Sequence, residues 1–276
     1  MLDLVLFLKA AFLGIIQGLG EFLPISSTGH LIIFEKLFGL APAQFGLSFD
    51  AFLHLGTLLA LLWFFRNNLY SLIKGVIQEI KTHQFESNLK LASLLIVGSI
   101  PAGFLGLLFE SKIETTFRAP SLVAFALIGF SIVIFLTERM TRTSQTVSNL
   151  SPSRSFLIGL FQSLALIPGI SRSGASIVGG LLTGLSEIEA ARFSFLLSIP
   201  VVAGAGLKKV LEISLNGVSR EQTLYYLIGL FFSSVTGFLA IKYFLKFLEK
   251  HGLGWFVVYR VGFGLLILFL IFPGKL

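Results

Sequence analysis

The apolar residues of this chain fall in runs of about 18 to 22, and one such run is long enough to cross a ~30 Å hydrocarbon core as a helix. Six runs read as complete spans, at residues 48–65, 89–109, 121–137, 189–210, 222–241 and 255–272. They are too long and too uniformly apolar for strands, so the expected fold is an all-α polytopic membrane protein, with residues 1–276 forming a single integral membrane domain. The charged fraction supports this: 13% of residues are charged, against roughly 25% in ordinary soluble domains, while 55% are hydrophobic. A soluble enzyme, a disordered chain and a secreted disulfide scaffold are thereby excluded. With no Cys, there is no thiolate nucleophile and no Cys-ligated metal. Any chemistry falls to Ser, Thr, His, Asp, Glu, Arg or a hard metal ion. The net charge of +7 comes from Lys and Arg scattered among the spans, which points to anionic membrane lipids as partners and not to nucleic acid. Residues 1–20 carry Asp3 and Lys9, lack a basic leader and run into further apolar sequence, so no cleavable signal peptide is expected.

Helix-start signals sit where the spans need them. Ser151-Pro152 offers an N-cap followed by Pro at the first helical position, and Ser186 with Glu189 and Ser219 with Gln222 have capping-box spacing. Two further apolar regions, residues 4–39 and 155–185, are broken near the middle by Pro, Gly and hydroxyl residues. The breaks resemble each other: Gln17 through Pro24, Ser26, Ser27, Thr28 and Gly29 parallels Gln162 through Pro168, Ser171, Arg172, Ser173 and Gly174. The offset is 145 except for a slip of one at the prolines, so the chain contains a diverged repeat with halves at about 1–137 and 150–276. If both broken regions dip into the membrane and return, three complete spans separate them and they enter from opposite faces. An inverted repeat with two interrupted helices in corresponding positions places a binding site near the bilayer midplane. Lys and Arg number ten on one side (Arg66, Lys74, Lys81, Lys90, Arg139, Arg142, Arg154, Lys242, Lys246 and Lys250) and seven or eight on the other, Lys275 among them. That bias puts both termini outside the cytoplasm.

Glu21, His30, Asp50, His54, Arg172 and Arg192 lie at apparent membrane depth, where each lipid-facing charge costs about 2.5–3.5 kcal/mol. They must therefore face one another, water or an anionic ligand. Both broken loops lead into a helix N-terminus, whose free N–H groups and positive dipole end favour an anion. Ser26, Thr28, Gly29, Ser171, Ser173 and Gly174 supply donors and close backbone approach, and Arg172 supplies a planar fork suited to phosphate. Two such termini meeting suit a diphosphate; the alternative use of these small residues is helix packing. Gln17 and Glu21, spaced i,i+4, share a helix face, and Asp50 and His54 share that spacing, as a structural pair or as part of the site. Glu21 can position a divalent ion, act as a base or pair with Arg172. His30 is an acid/base group or a satisfied core residue. Arg192 pairs with Glu189, the Phe-rich segments face lipid or pack, and the Lys-rich stretch at 242–250 is a solvated face.

The two loops with their flanks resemble the undecaprenyl-pyrophosphate phosphatases, also called bacitracin-resistance proteins. The first motif stands here as Gln17-Gly-Leu-Gly-Glu21-Phe-Leu-Pro24-Ile-Ser26-Ser27-Thr28-Gly29-His30 and the second as Pro168-Gly-Ile-Ser171-Arg172-Ser173-Gly174. The likeness extends to Phe49-Asp50 and to Arg192-Phe193-Ser194-Phe195. It implies hydrolysis of the terminal phosphate of undecaprenyl diphosphate, a polyprenyl diphosphate lipid, which regenerates the carrier for peptidoglycan synthesis and confers bacitracin resistance. It further implies a site at the outer face of the bacterial cytoplasmic membrane, aided by a divalent cation such as Mg²⁺ or Ca²⁺. Glu21, Ser27, His30 and Arg172 match the family's functional positions, and Gln17 stands where Glu also occurs, leaving Glu21 as the one carboxylate on that helix for a metal. His30, aided by Glu21, would deprotonate Ser27 or a water, with Ser27 as nucleophile or as a phosphate-binding donor; Ser27 is preferred over Ser26 because it precedes His30 by one helical turn. A transporter or flippase of a polyprenyl phosphate lipid is the competing reading, since interrupted inverted repeats also build transporters. Oligomeric state is left open, a homodimer included.

Overall fold

The computed structural model of the chain describes residues 3–41, 45–141 and 144–272; Arg142 and Lys275, used in the charge count, lie outside them. Within the described residues the chain forms α1 (Leu4–Phe22), α2 (Ser27–Leu37), α3 (Leu47–Phe64), α4 (Arg66–Thr82), α5 (Ser87–Thr116) and α6 (Pro120–Met140). The second half follows with α7 (Pro152–Ser163), α8 (Arg172–Leu182), α9 (Glu187–Asn216), α10 (Arg220–Leu248) and α11 (Gly254–Ile271). Seven of these helices are long and apolar enough to cross a membrane. Six coincide with the expected spans. The seventh is α1, the first limb of the first broken region, where the 19 residues Leu4–Phe22 after the Asp3 cap reach spanning length; its repeat mate α7 starts at Pro152 and has only 12.

The caps form largely as the sequence directs. Ser151 accepts from the Arg154 N–H with Pro152 in the first turn, and Ser219 and Gln222 complete a capping box. Ser186 also caps its helix, but Glu189 does not reach back; its carboxylate accepts instead from the Val147 N–H and approaches Arg192 at 3.6 Å. Helix α4, which the apolar runs do not announce, carries Glu79 into the start of α5, where it accepts from the N–H groups of Glu86, Asn88 and Leu89.

The halves interlock. Helix α1 lies along α10, and its mate α7 lies along α5. Lipid tails are as apolar as Leu, so helices in a membrane associate through close packing at small residues. A Cβ on Gly14 would run into the Gly229 carbonyl, and one on the corresponding Gly159 into the Gly98 carbonyl. Helix α6 packs on α11 and α3 on α9, which completes the frame around the two broken regions. Inside it, Phe22 meets Phe195 edge to face at 5.3 Å. Phe104, Leu107, Trp255 and Phe269 point outward, as expected of a surface solvated by lipid.

Candidate active site

The two breaks meet in the interior. Each is a short turn after a Pro, ending in a serine whose backbone is left-handed: Ser26 at φ 72° and Ser171 at φ 79°. Left-handed backbone is unfavourable for a residue with a Cβ and persists only where surrounding contacts hold it. Both serines cap the helix that follows, Ser26 accepting from the Gly29 N–H at 3.3 Å and Ser171 from the Gly174 N–H at 3.2 Å. The turns are also bonded to each other. Ser26 Oγ accepts from the Gly169 N–H at 3.1 Å, and Ser173 Oγ donates to the Leu23 carbonyl at 3.0 Å. Gly174 is tight at this junction, because a Cβ there would come within 3.3 Å of the Pro24 Cβ, whereas a Cβ on Gly29 would press on Val123 of α6 at 3.1 Å. The close approach at Gly174 is thus one loop against the other.

Glu21 is the hub. Its Oε2 accepts from Ser27 Oγ at 2.7 Å and from Gln17 Nε2 at 3.0 Å, while its Oε1 accepts from Arg172 Nη2 at 2.8 Å across 151 residues. His54 Nε2 stands 3.5 Å from the same Oε2, held by its Nδ1–H donating to the Asp50 carbonyl at 2.8 Å. The carboxylate is only 5% exposed. A buried carboxylate is tolerated when its lone pairs are met by charged and neutral donors, and here they are. Two groups are not met. Arg172 Nε and Nη1 are buried with no acceptor, and Gln17 Oε1 is buried with no donor. A guanidinium with two buried N–H directions unused beside a helix N-terminus has donors that an anion's oxygens can take up.

The expected Ser27–His30 contact is not made. His30 lies one turn along α2, but its Nδ1–H donates to the Ser26 carbonyl at 2.8 Å and its Nε2 lies 2.7 Å from the Tyr259 hydroxyl. Its ring stacks on Phe263 at 4.1 Å. Placement on one helical face brought the residues near each other without aiming the imidazole at the hydroxyl. Asp50 and His54 do form a hydrogen-bonded pair, but through the Asp50 backbone carbonyl; the Asp50 carboxylate instead joins Glu35 around Arg118, whose Nη2 is 3.3 Å and 3.1 Å from the two acids. Thr28 is half-buried at the mouth of α2, next to Ser27.

Sequence reasoning overlooked Tyr259 and Arg260. Their signal was available, since a charge at position 260 in the middle of an 18-residue apolar helix demands a partner.

The profile of the family described as "Bacitracin resistance protein BacA" matches residues 10–266. An undecaprenyl-diphosphatase from Rubrobacter xylanophilus is 40% identical over 262 residues, covering 94% of this chain and 96% of that protein. One from Trichlorobacter lovleyi is 40% identical over 270 residues, 98% of each chain, and an undecaprenyl-diphosphatase 2 from Stutzerimonas stutzeri is 41% identical over 261 residues, 94% and 96% of the two chains. With both broken loops and nearly the whole frame inside the matched region, this chain belongs to the bacitracin resistance protein BacA family.

Proposed function

We propose that this protein is an undecaprenyl-diphosphatase, hydrolysing undecaprenyl diphosphate to undecaprenyl phosphate and inorganic phosphate through Ser27. The family supports the reaction. The observation that carries the site is the Ser27–Glu21 hydrogen bond of 2.7 Å beside an Arg172 with two unused buried N–H groups.

The diphosphate enters with its tail among the lipid-facing helices and its charged end against the N-termini of α2 and α8. Arg172 turns its free N–H groups to the terminal phosphoryl oxygens, which loosens its hold on Glu21. Ser27 Oγ then attacks the terminal phosphorus while its proton passes to Glu21 Oε2. A bond forms between phosphorus and Oγ, the bond from phosphorus to the bridging oxygen breaks, and undecaprenyl phosphate leaves with that oxygen. Glu21 passes that proton to the departing lipid phosphate; water then attacks the phosphoserine and gives a proton to Glu21, the bond from phosphorus to Oγ breaks, and Glu21 returns the proton to Ser27 Oγ as phosphate leaves. Such transfers depend on positioning and charge neutralisation more than on covalent machinery, which suits a site built of helix ends and one guanidinium. His30, bonded to Ser26 and Tyr259, holds the start of α2 in place.

The residues also suit a divalent cation such as Mg²⁺ or Ca²⁺. Gln17 Oε1 is an oxygen donor without a partner next to Glu21, and Mg²⁺ commonly takes one or two carboxylates with the rest of its ligands from substrate phosphate and water. When bound there, it would neutralise phosphate charge.

The reading includes a place in the cell: a bacterial cytoplasmic membrane, with the site open to the outer face. The chain has no Cys, so a single Thr28→Cys substitution reports access. Labelling by an impermeant reagent from the outside is expected, and labelling only from the cytoplasmic side overturns that orientation.

The decisive assay is phosphate release by purified protein from a lipid diphosphate in detergent. Release with one lipid monophosphate per phosphate is expected. Lipid binding and transbilayer movement without hydrolysis would replace this reading with the flippase. A chiral thiophosphate substrate tests Ser27: two in-line displacements restore configuration at phosphorus, and net inversion removes Ser27 as nucleophile.

A further inference from the structure

Arg260 lies in α11 and is fully buried, at 0% exposure. Its Nε donates to Ser131 Oγ at 3.0 Å, and Nη2 reaches the Leu127 carbonyl at 3.2 Å, so α6 fixes one edge of the guanidinium. The other edge holds the two broken loops. Nη1 donates to the Pro24 carbonyl at 3.0 Å, and Nη2 donates to the Gly169 carbonyl at 2.9 Å. These two carbonyls occupy the same place in the two repeats, each two residues before the left-handed serine that caps the next helix. No carboxylate forms an ion pair with Arg260 among the described residues; Phe130 lies under its cationic carbon at 5.8 Å.

An uncompensated buried cation is expensive and is retained only where its hydrogen bonds do something that neutral side chains do not. A guanidinium presents five N–H donors in a rigid plane, so it can fix the relative position of several carbonyls at once. The loops it joins carry Glu21 and Ser27 on one side and Arg172 on the other. Their mutual contacts depend on how the loops sit, including the Arg172–Glu21 pair at 2.8 Å and the Ser26–Gly169 bond at 3.1 Å. On the adjacent residue of α11, Tyr259 meets His30, and one turn further Phe263 stacks on it. One face of α11 therefore supports the start of α2 and both turns together.

We infer that Arg260 is a positioning residue of the active site, clamping the equivalent carbonyls of the two repeats so that Arg172 and the Ser27–Glu21 pair face a single phosphoryl group. The inference rests on the proposed hydrolysis for its kinetic part and stands apart from it for its geometry.

The test uses the full-length protein in detergent with nitroxide labels on Leu37→Cys and Leu182→Cys, the exposed last residues of α2 and α8. Arg260→Met should lower kcat about 100-fold, the scale of an ångström-level misplacement, and leave KM within about threefold because tail binding is untouched. The distance distribution between the labels should broaden. Arg260→Lys, which reaches one loop but not both, should fall between, about tenfold below the parent. Wild-type kcat in a folded Met variant overturns the inference, as does a lower kcat with an unchanged distance distribution. If the Met variant does not fold, Ser131→Ala removes only the hydroxyl that orients Nε. It should then lower kcat by about threefold or more and broaden the distribution, and no change in either overturns the clamp. Failure of the hydrolase reading is seen separately, as absence of turnover in the unsubstituted protein, and the distances then decide alone.

Discussion

The two broken regions share a backbone and differ in chemistry. Both turn through a left-handed serine, both cap the third residue beyond it, and both start a helix of 11 residues. At the offset of 145, however, Glu21 corresponds to Leu166, Ser27 to Arg172 and His30 to Ala175. The first region holds the carboxylate and the hydroxyl, and the second holds the cation. Gln17 uses its amide N–H on Glu21, whereas the corresponding Gln162 is buried with neither amide atom partnered. The two regions supply two serine-capped helix ends and the hydrogen bonds that join them. The carboxylate and hydroxyl stand on one and the guanidinium on the other, a division that a symmetric pair would lack.

Exchanging the acid for its amide tests the division most severely. Glu21→Gln removes the acceptor for the Ser27 proton and should lower kcat about 1000-fold. Activity within about tenfold of the parent would show that the carboxylate is not the base. A divalent-cation titration of the same variant separates the two remaining roles: an unchanged cation dependence with lower turnover assigns Glu21 to proton transfer alone. On the other side, Arg172→Lys keeps charge and loses the fork, and turnover should fall by about 100- to 1000-fold. Near-normal turnover of a folded Lys variant would remove Arg172 from the site.

The role of His30 separates the sequence pattern from the observed geometry. As the base for Ser27, it would cost as much as Glu21 when replaced. As a support bonded to Ser26 and Tyr259, its replacement by Gln should cost about tenfold, and Tyr259→Phe should lower turnover in the same direction. A loss for His30→Gln equal to that of Glu21→Gln would restore the imidazole as base. The smallest expected effect compares the two caps. Ser171→Ala should lower unfolding stability by about 1 kcal/mol, measured by thermal melting in detergent. Ser26→Ala should cost more, because Ser26 also holds the Gly169 N–H, and equal losses would mean that this cross-loop bond adds nothing.

Much of this was legible from the chain alone. The six long apolar runs appear as helices, because run length and hydropathy are local properties that a membrane translates directly into spans. The repeat announced both turns and both short helices, since Pro, Gly and a capping Ser act within a few residues. The meeting of Glu21 with Arg172 was also foreshadowed, as charges at membrane depth require partners. Orientation was not. Nothing in the spacing of Ser27 and His30 says which way an imidazole turns, and packing against Tyr259 and Phe263 from the other end of the chain decided it. Helix α4 escaped because only one of its faces is apolar, so no uniform run marks it.

The sequence by itself determined the membrane-spanning class, the duplicated broken helices and the residue types that a phosphate site needs, because these follow from local composition and short-range backbone rules. Only the tertiary structure decided that Glu21 holds Ser27, that His54 stands beside them, that Asp50 belongs with Arg118, and that Arg260 joins the two loops. Apart from the Glu21–Ser27 bond, six residues apart across the turn, those pairings join residues distant in the chain, from Glu21 and His54 to Arg260 and Pro24 across 236 residues. They are chosen by which buried donors and acceptors satisfy one another when helices from both halves interlock, a condition that no local pattern encodes.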